Sequence, residues 1–548
     1  MAPGILYVTM QPKPSLSSSE FHDWYNNEHG PNRLRLPFVQ NGFRYKATDL
    51  DGPGKGLHEW MAIYDITDMD ELNNDAYMAL RGAPVQTQRE RDIRPSVDID
   101  RRSYDFIREW KNDDYKTLEN VDAEKGNVMV SVSFRLKPGQ KSEELDKWYN
   151  EEHVGMLQKV PGWRRTRRYK TSTIDKLDET EYLALHEYAP QNGLDGEEFK
   201  AATSTEWTNR INTTVCSEKK RRVYELFYTF GAAPRQLSKV ATWDSPATKT
   251  KTYPSSVGHS VVESYITTKD GAELHFKLEG SSDPDAPVIV LSNSILVDYG
   301  IWDNFVKAFF SSSQNKKYRV LRYLTRGRTS SYGTEPITVD LLAADIISLL
   351  DTLRIQKAAA VAGVSLGGAT VLNVALRYPD RINAFLSCDT NAKSPEGNSK
   401  AWGERITMAE KTGATSSASQ NKGEKIVGED LAEITVRRWF VKETYDGGEM
   451  EKEAERIKQM VVNNSLDGFA NSVKALWQYD MTPLMKGCKV KGAYLVGAGD
   501  GVLPAGMKKM AEETGDKGVE CHVIEGAGHL PMVEKPEEVA DVVSKLVN

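Results

Sequence analysis

Gly363-Val364-Ser365-Leu366-Gly367 stands between an apolar run, Ala358 to Ala362, and a segment of helical period, Ala369 to Tyr378. A short apolar run of this kind reads as a buried parallel strand. The five residues between the two then form a sharp strand-to-helix turn. Its two glycines are a steric requirement, because only small neighbours let the backbone turn so tightly. The turn lifts the Ser365 hydroxyl clear of the strand. The Leu366 N–H, at the start of the helix, faces the place where an oxyanion would form. Ser365 is the candidate nucleophile.

A serine hydroxyl is a weak nucleophile without a base. The candidate base is His529, in Gly526-Ala527-Gly528-His529-Leu530-Pro531, just before a helix that starts at Pro536. The candidate orienting acid is Asp500, on the Gly-rich turn Gly497-Ala498-Gly499-Asp500-Gly501 that follows the strand Lys491 to Val496. Asp389, after the strand Ala384 to Cys388, is its rival. The chain order Ser, Asp, His is the one that strand–helix hydrolases use. A second oxyanion donor is expected on the loop after Pro287-Val288-Ile289-Val290-Leu291, and the Ser294 N–H occupies that place. Tyr318 to Leu321 adds a strand and Val339 to Leu353 a helix. The alternation makes residues 261–548 an expected α/β unit, and the ordered Ser365, Asp500 and His529 make it an expected α/β-hydrolase. Residues 391–485 break it. They read as helical, carry Trp402, Trp439, Phe440 and Trp477, and form an expected cap over the core.

The first 230 residues contain a repeat, which is the first thing to seek in a long chain. Trp24-Tyr25-Asn26-Asn27-Glu28-His29 recurs as Trp148-Tyr149-Asn150-Glu151-Glu152-His153. A strand precedes each copy, Gly4 to Met10 and Asn127 to Leu136. Gly42-Phe43-Arg44-Tyr45 and Gly162-Trp163-Arg164 follow. The alternating runs Glu59 to Tyr64 and Glu181 to His186 come next, then a helix and a last strand, Tyr104 to Ile107 and Arg222 to Phe230. The order β-α-β-β-α-β is the split βαβ, ferredoxin-like pattern. Residues 1–110 and 125–230 are thus expected to be two α+β units. Residues 231–260, rich in Pro, Ser, Thr and Lys, read as a linker. Tyr25 with His29, and Tyr149 with His153, lie four residues apart on one helical face. They serve either acid–base chemistry or the helix–sheet contact.

Composition narrows the partners. Of 548 residues, 39% are hydrophobic and 27% charged, and the formal net charge is −7. That balance argues against nucleic acid or an anionic membrane as a partner. Arg164, Arg165, Arg167 and Arg168 are a local cluster, read as a solvated or substrate-facing edge. Cys216, Cys388, Cys488 and Cys521 are far apart and form no C-x-x-C pair, so neither a metal site nor a disulfide framework is expected. This fits a reducing, cytoplasmic setting. No secretory leader and no membrane span is expected.

At these residues the second half resembles the 3-oxoadipate enol-lactonases. Leu291-Ser292-Asn293-Ser294 with Ile301-Trp302-Asp303 looks like their oxyanion loop. Gly363 to Gly368 looks like their nucleophile elbow, and Asp389-Thr390-Asn391-Ala392-Lys393 is similar to their N-T-A-x-K. Trp402 with Arg405-Ile406, and Arg438-Trp439-Phe440, match in the cap. The resemblance implies a cofactor-free serine hydrolase with Trp302, Trp402 and Trp439 about its substrate. Two departures stand out. The family's glycine is replaced by Leu296, and its R-G-H-G-x-S reads Arg326-Gly327-Arg328-Thr329-Ser330. With the aromatic cap, they point to a larger lactone or ester, ring-derived or polyketide-like. The first half resembles the EthD-like dimeric α+β barrels through Glu28-His29-Gly30-Pro31, a proline that the second copy lacks. Such units pair sheet to sheet, here within one chain, and homo-oligomers are also compatible. That family includes cofactor-free lyases. A bifunctional enzyme with a decarboxylase or dehydratase barrel is therefore the alternative, and a non-catalytic docking barrel is another.

Overall fold

The computed structural model describes residues 2–82, 85–118, 126–176, 179–234, 250–255, 258–418, 421–445 and 447–548. They form two compact units, in the main Met1–Arg235 and Lys249–Asn548.

The first unit is a closed barrel of eight strands. The first repeat supplies β1 (Gly4–Pro12), β2 (Val39–Ala47), β3 (Trp60–Ile66) and β4 (Val97–Lys111). The second supplies β5 (Val128–Leu136), β6 (Trp163–Thr171), β7 (Glu181–Tyr188) and β8 (Cys216–Thr229). Within each repeat the first strand lies between the last and the third, and all pairs are antiparallel. The repeats join where β2 pairs with β8 and β4 with β6. Closure leaves neither repeat an open edge.

Alternation along the strands explains why both faces are buried. Ile5 and Tyr7 point to one side, with Tyr45, Met61, Tyr104, Met129, Tyr169 and Tyr224, so one core is shared by both repeats. Leu6, Val8 and Met10 point to the other, under the helical segment that carries Phe21, Trp24 and Tyr25. Val130, Val132 and Phe134 do the same beneath Trp148 and Tyr149. The barrel interior is therefore filled with large side chains. β4, at 15 residues, is far longer than the sequence pattern suggests. Asp98, Asp100, Arg101 and Arg102 mask its alternation, yet it is paired along its length, first with β1 and then with β6.

The second unit is a nine-stranded sheet. Three antiparallel strands start it: β9 (Lys251–Pro254), β10 (Ser260–Thr267) and β11 (Glu273–Gly280). Then come β12 (Val288–Ser292), β13 (Arg319–Tyr323), β14 (Ala360–Val364) and β15 (Ala384–Cys388). β12 pairs in parallel with β13 and β14, and β14 with β15. A two-stranded ribbon, β16 (Ala414–Thr415) and β17 (Lys425–Ile426), belongs to the cap. β18 (Lys491–Gly497) and β19 (Glu520–Ile524) finish the parallel set. The cap is built on the helices Asn398–Thr412, Glu429–Trp439, Glu451–Val462 and Leu466–Ser472.

One boundary is corrected. Of the segment 231–260 read as a linker, 235–249 and 256–257 lie outside the described residues, and Lys251–Pro254 is a strand. Its polar composition hid it. β10 offers a partner edge, and Thr252 is buried against it.

Candidate active site

The turn around Ser365 is built by close approach. β14 is buried throughout and ends at Val364. Ser365 follows at φ 59°, ψ −117°, and the helix Leu366–Arg377 begins at the next residue. A non-glycine residue held there costs about 1–3 kcal/mol and persists only where its surroundings enforce it. They do. The Ser365 N–H donates to Cys388 O at 2.9 Å. A Cβ on Gly363 would stand 2.3 Å from Gly367 O, and one on Gly367 would stand 2.5 Å from Ser292 O. The three strand ends are thus stacked through glycine. The helix starts three residues earlier than its apolar period suggests, because its first turn is Leu366-Gly367-Gly368.

His529 and Asp500 meet beside Ser365. His529 Nδ1 lies 2.7 Å from Asp500 Oδ2, and the carboxylate accepts its N–H. Its backbone N–H donates to Trp439 O at 2.7 Å, and its ring stacks near Trp439 at 5.8 Å and 22°. Glu534 braces this loop. It accepts N–H groups from Gly528 at 2.6 Å and Val441 at 3.1 Å, and burial raises its pKa. Sequence reasoning missed Glu534, since a single acidic residue after the histidine loop carries no periodic signal.

Ser365, His529, Asp500, Asp389, Trp402 and Trp439 line one cleft of about 570 Å³. Two arginines complete it. Arg405 lies over the Trp402 ring at 4.4 Å and Arg438 at 5.9 Å. Among the described residues neither guanidinium forms an ion pair. Burial, and then Arg405, push Arg438 down to about 10, with Asp500 opposing. Both arginines were visible in the sequence only as cap residues, without a role.

The expected oxyanion loop is tightly held. Asn293 Nδ2 donates to Tyr323 O at 2.7 Å, and the Ser292 and Tyr323 hydroxyls are 3.0 Å apart. Ser294 is fully buried, and the neighbouring Ile295 is the loop residue that lines the cleft. Trp302 is a correction. It was expected at the substrate, but it is 0% exposed and donates Nε1–H to Asn293 Oδ1 at 3.1 Å. It supports the loop from behind, because its indole N–H finds its acceptor there. The two departures noted above meet in space. Leu296 takes φ 71°, where glycine is the easy residue. Arg328 donates to Leu296 O at 3.3 Å and also to Met460 O.

The barrel candidates are buried. Tyr25–His29 and Tyr149–His153 are π-helical, not α-helical, in both repeats. Tyr25 and His29 still touch, with ring centroids 4.7 Å apart. His29 is 8% exposed, with Nδ1 2.9 Å from Glu90 Oε1, and burial holds its pKa at about 4 against the pull of Glu90. His153 is 7% exposed, stacks on Trp148 at 4.1 Å, and donates Nδ1–H to Ala202 O at 3.1 Å. Burial lowers its pKa to about 3. Tyr149 is raised by burial. Arg164, Arg165, Arg167 and Arg168 are not a free basic edge. Arg165 and Arg167 pair with Glu187, Arg167 also with Asp65, and Arg168 with Asp146. Arg164 donates to Asn127 Oδ1 at 3.2 Å.

Asp389, Asp500 and His529 offer atoms within 4.8 Å of one another. Within that cluster His529 Nδ1 and Asp500 Oδ2 are in direct contact at 2.7 Å. No helix among the described residues is long and apolar enough to cross a membrane.

Comparison with known proteins bears on the second unit. The Alpha/beta hydrolase family matches residues 289–542. 3-Oxoadipate enol-lactonase 1 of Acinetobacter baylyi is 27% identical over 292 residues, covering 53% of this chain and 97% of that protein. 3-Oxoadipate enol-lactonase 2 of the same organism is 28% identical over 274 residues, covering 50% and 91%. The crystal structure of the enol-lactonase from Burkholderia xenovorans LB400 aligns at 28% identity and TM-score 0.43, covering 52% of this chain and 99% of that one. Residues 289–542 are an α/β-hydrolase related to 3-oxoadipate enol-lactonase.

Proposed function

We propose that the second unit is a serine hydrolase that opens a lactone or ester through an acyl-enzyme. The observation that carries this is a strained Ser365 in one cleft with an imidazole already held by a carboxylate. Ser365 Oγ attacks the carbonyl carbon while His529 takes its proton. Asp500 fixes the tautomer and stabilises the imidazolium. The N–H groups of Leu366 and Ser294 receive the oxyanion. Collapse expels the alkoxide, which takes the proton from His529. For a lactone the ring opens and the product stays attached as an ester. His529 then deprotonates water, which releases the acid.

Arg405 and Arg438 support a substrate with an anionic substituent, since two unpaired guanidiniums in a half-dry cleft favour a carboxylate. The cleft volume and the two tryptophans leave room for a ring larger than a small aliphatic lactone. The test is labelling by a fluorophosphonate, located by peptide mass spectrometry. Labelling at Ser365 is expected, and Ser365→Ala is expected to lower lactone or ester kcat/KM by about a thousandfold or more. Unchanged hydrolysis in that variant sinks the reading.

For the first unit we infer a tandem EthD-like, ferredoxin-like barrel that folds as an internal pseudo-dimer. Its buried, neutral histidines and filled interior favour a structural or docking role over a lyase step. An isolated 1–234 fragment that turns over a small aromatic or polyketide acid would overturn this.

A further inference from the structure

Asp389 stands directly after β15, at φ 45° and 1% exposed. Its Oδ1 accepts the Gly497 N–H at 2.9 Å. Its Oδ2 is buried with no N–H or O–H donor on it. An ionised carboxylate in that position would leave a buried oxygen unpaired, which costs more than a neutral acid with its O–H on an acceptor. The acceptor at hand is the Asp500 carboxylate, in the same 4.8 Å cluster.

The surroundings agree. Asp500 from the loop after β18 and Glu534 from the helix Pro531–Glu534 both oppose a negative charge at Asp389. The thiols of Cys388, on its own strand, and Cys521, on β19, are raised by burial and stay neutral. His529 is already engaged by Asp500, and Arg438 acts on Asp500. Burial first, then Asp500, raise Asp389 well above the usual carboxylate range, with the Gly497 N–H opposing.

We propose that Asp389 is a positioning residue for the triad: a carboxylic acid that donates its O–H to Asp500, holds that carboxylate against His529, and takes over the histidine when Asp500 is removed. This rests on the hydrolase reading above. The two carboxyls carry one negative charge between them, as a close pair of acids must. Removing Asp500 removes the repulsion, so Asp389 ionises more readily and becomes, among the described residues of that cluster, the carboxylate left within reach of His529.

The experiment measures the rate of fluorophosphonate labelling of Ser365 in the full chain, with thermal unfolding as the check on folding. Asp389→Leu is expected to slow labelling about tenfold or more, and Asp389→Asn, which keeps an N–H donor there, to stay within about threefold of wild type. In the Asp500→Ala background the same Asp389→Asn change is expected to cost about a further tenfold. Labelling by Asp500→Ala alone should also rise with pH as Asp389 ionises, above the ordinary carboxylate range because burial still opposes its charge, a limb that Asp389→Asn removes. A merely structural Asp389 gives the same cost for Asp389→Asn in both backgrounds, and that result overturns the proposal while leaving the hydrolase intact. No labelling of folded wild-type protein overturns both.

Discussion

Single side chains decide the charge and the backbone path at the cleft. Arg405 and Arg438 lie over one tryptophan and, among the described residues, form no ion pair, so on the proposed reading their charge faces the ligand. Replacing Arg405 or Arg438 with methionine keeps the stem's packing and removes the charge. KM for esters carrying a carboxylate should rise about tenfold, with less than about a threefold change for neutral esters of the same size. Steady-state kinetics on matched ester pairs checks this, and an equal loss on both would place the arginines away from the substrate. Leu296 is instructive in another way. Its replacement of the family's glycine looks damaging in the sequence alone. In space, Arg328 holds the strained carbonyl, so both departures belong to one local arrangement.

At the scale of elements, the site is a meeting of strand ends. β12, β14, β15 and β18 deliver the loop from Asn293, Ser365, Asp389 and Asp500 to the carboxyl ends of neighbouring strands, where open α/β sheets place their sites. The histidine loop follows β19, and its Ala527 O accepts the Gly499 N–H from the turn after β18 at 2.9 Å. Glu534 adds a second tie, joining the loop to the end of the cap helix Glu429–Trp439 through Gly528, Val441 and Thr444. Glu534→Ala leaves buried N–H groups unpaired and is expected to destabilise the unit by about 2–4 kcal/mol. Denaturant unfolding measures the loss. Hydrogen exchange should localise it to 439–445 and 526–530, and protection unchanged there would contradict the bracing role. The π-helical turns in the barrel recur at the same motif in both repeats. They push the aromatic residues of the motif against the sheet, where they are core.

At the scale of the whole molecule, acid acts on the first unit through its buried histidines. The barrel holds His22 at about 3, His29 at about 4 and His153 at about 3, with burial the largest cause each time. A histidine whose folded pKa lies below its unfolded value binds protons more readily when unfolded. Its contribution to stability is complete above the unfolded value, about 6.5, and is lost as pH falls toward the folded one. Each such histidine removes up to about 1.4 kcal/mol per pH unit in that window. The barrel transition should move to lower temperature as pH falls from about 6.5 to 4, and His153→Gln should make that slope shallower. Calorimetry of the full chain across that window reads it, and an unchanged slope would mean that His153 titrates normally.

The sequence by itself determined what is local: the strand–turn–helix around Ser365, the order in which Asp500 and His529 follow, the alternating strands and the internal repeat. Each is written in a period or in a glycine that permits one backbone path. Tertiary structure alone decided the pairings over long separations. It set His529 against Asp500 and placed Asp389 beside that pair. It turned Trp302 away from the cleft and brought Arg405 and Arg438 into it, and it buried the barrel histidines that looked available for chemistry. None of these is a property of a short segment. Each depends on which side chains share a dry space once sheet, cap and helices have packed, and that is fixed by volume and hydrogen-bond satisfaction across the whole fold.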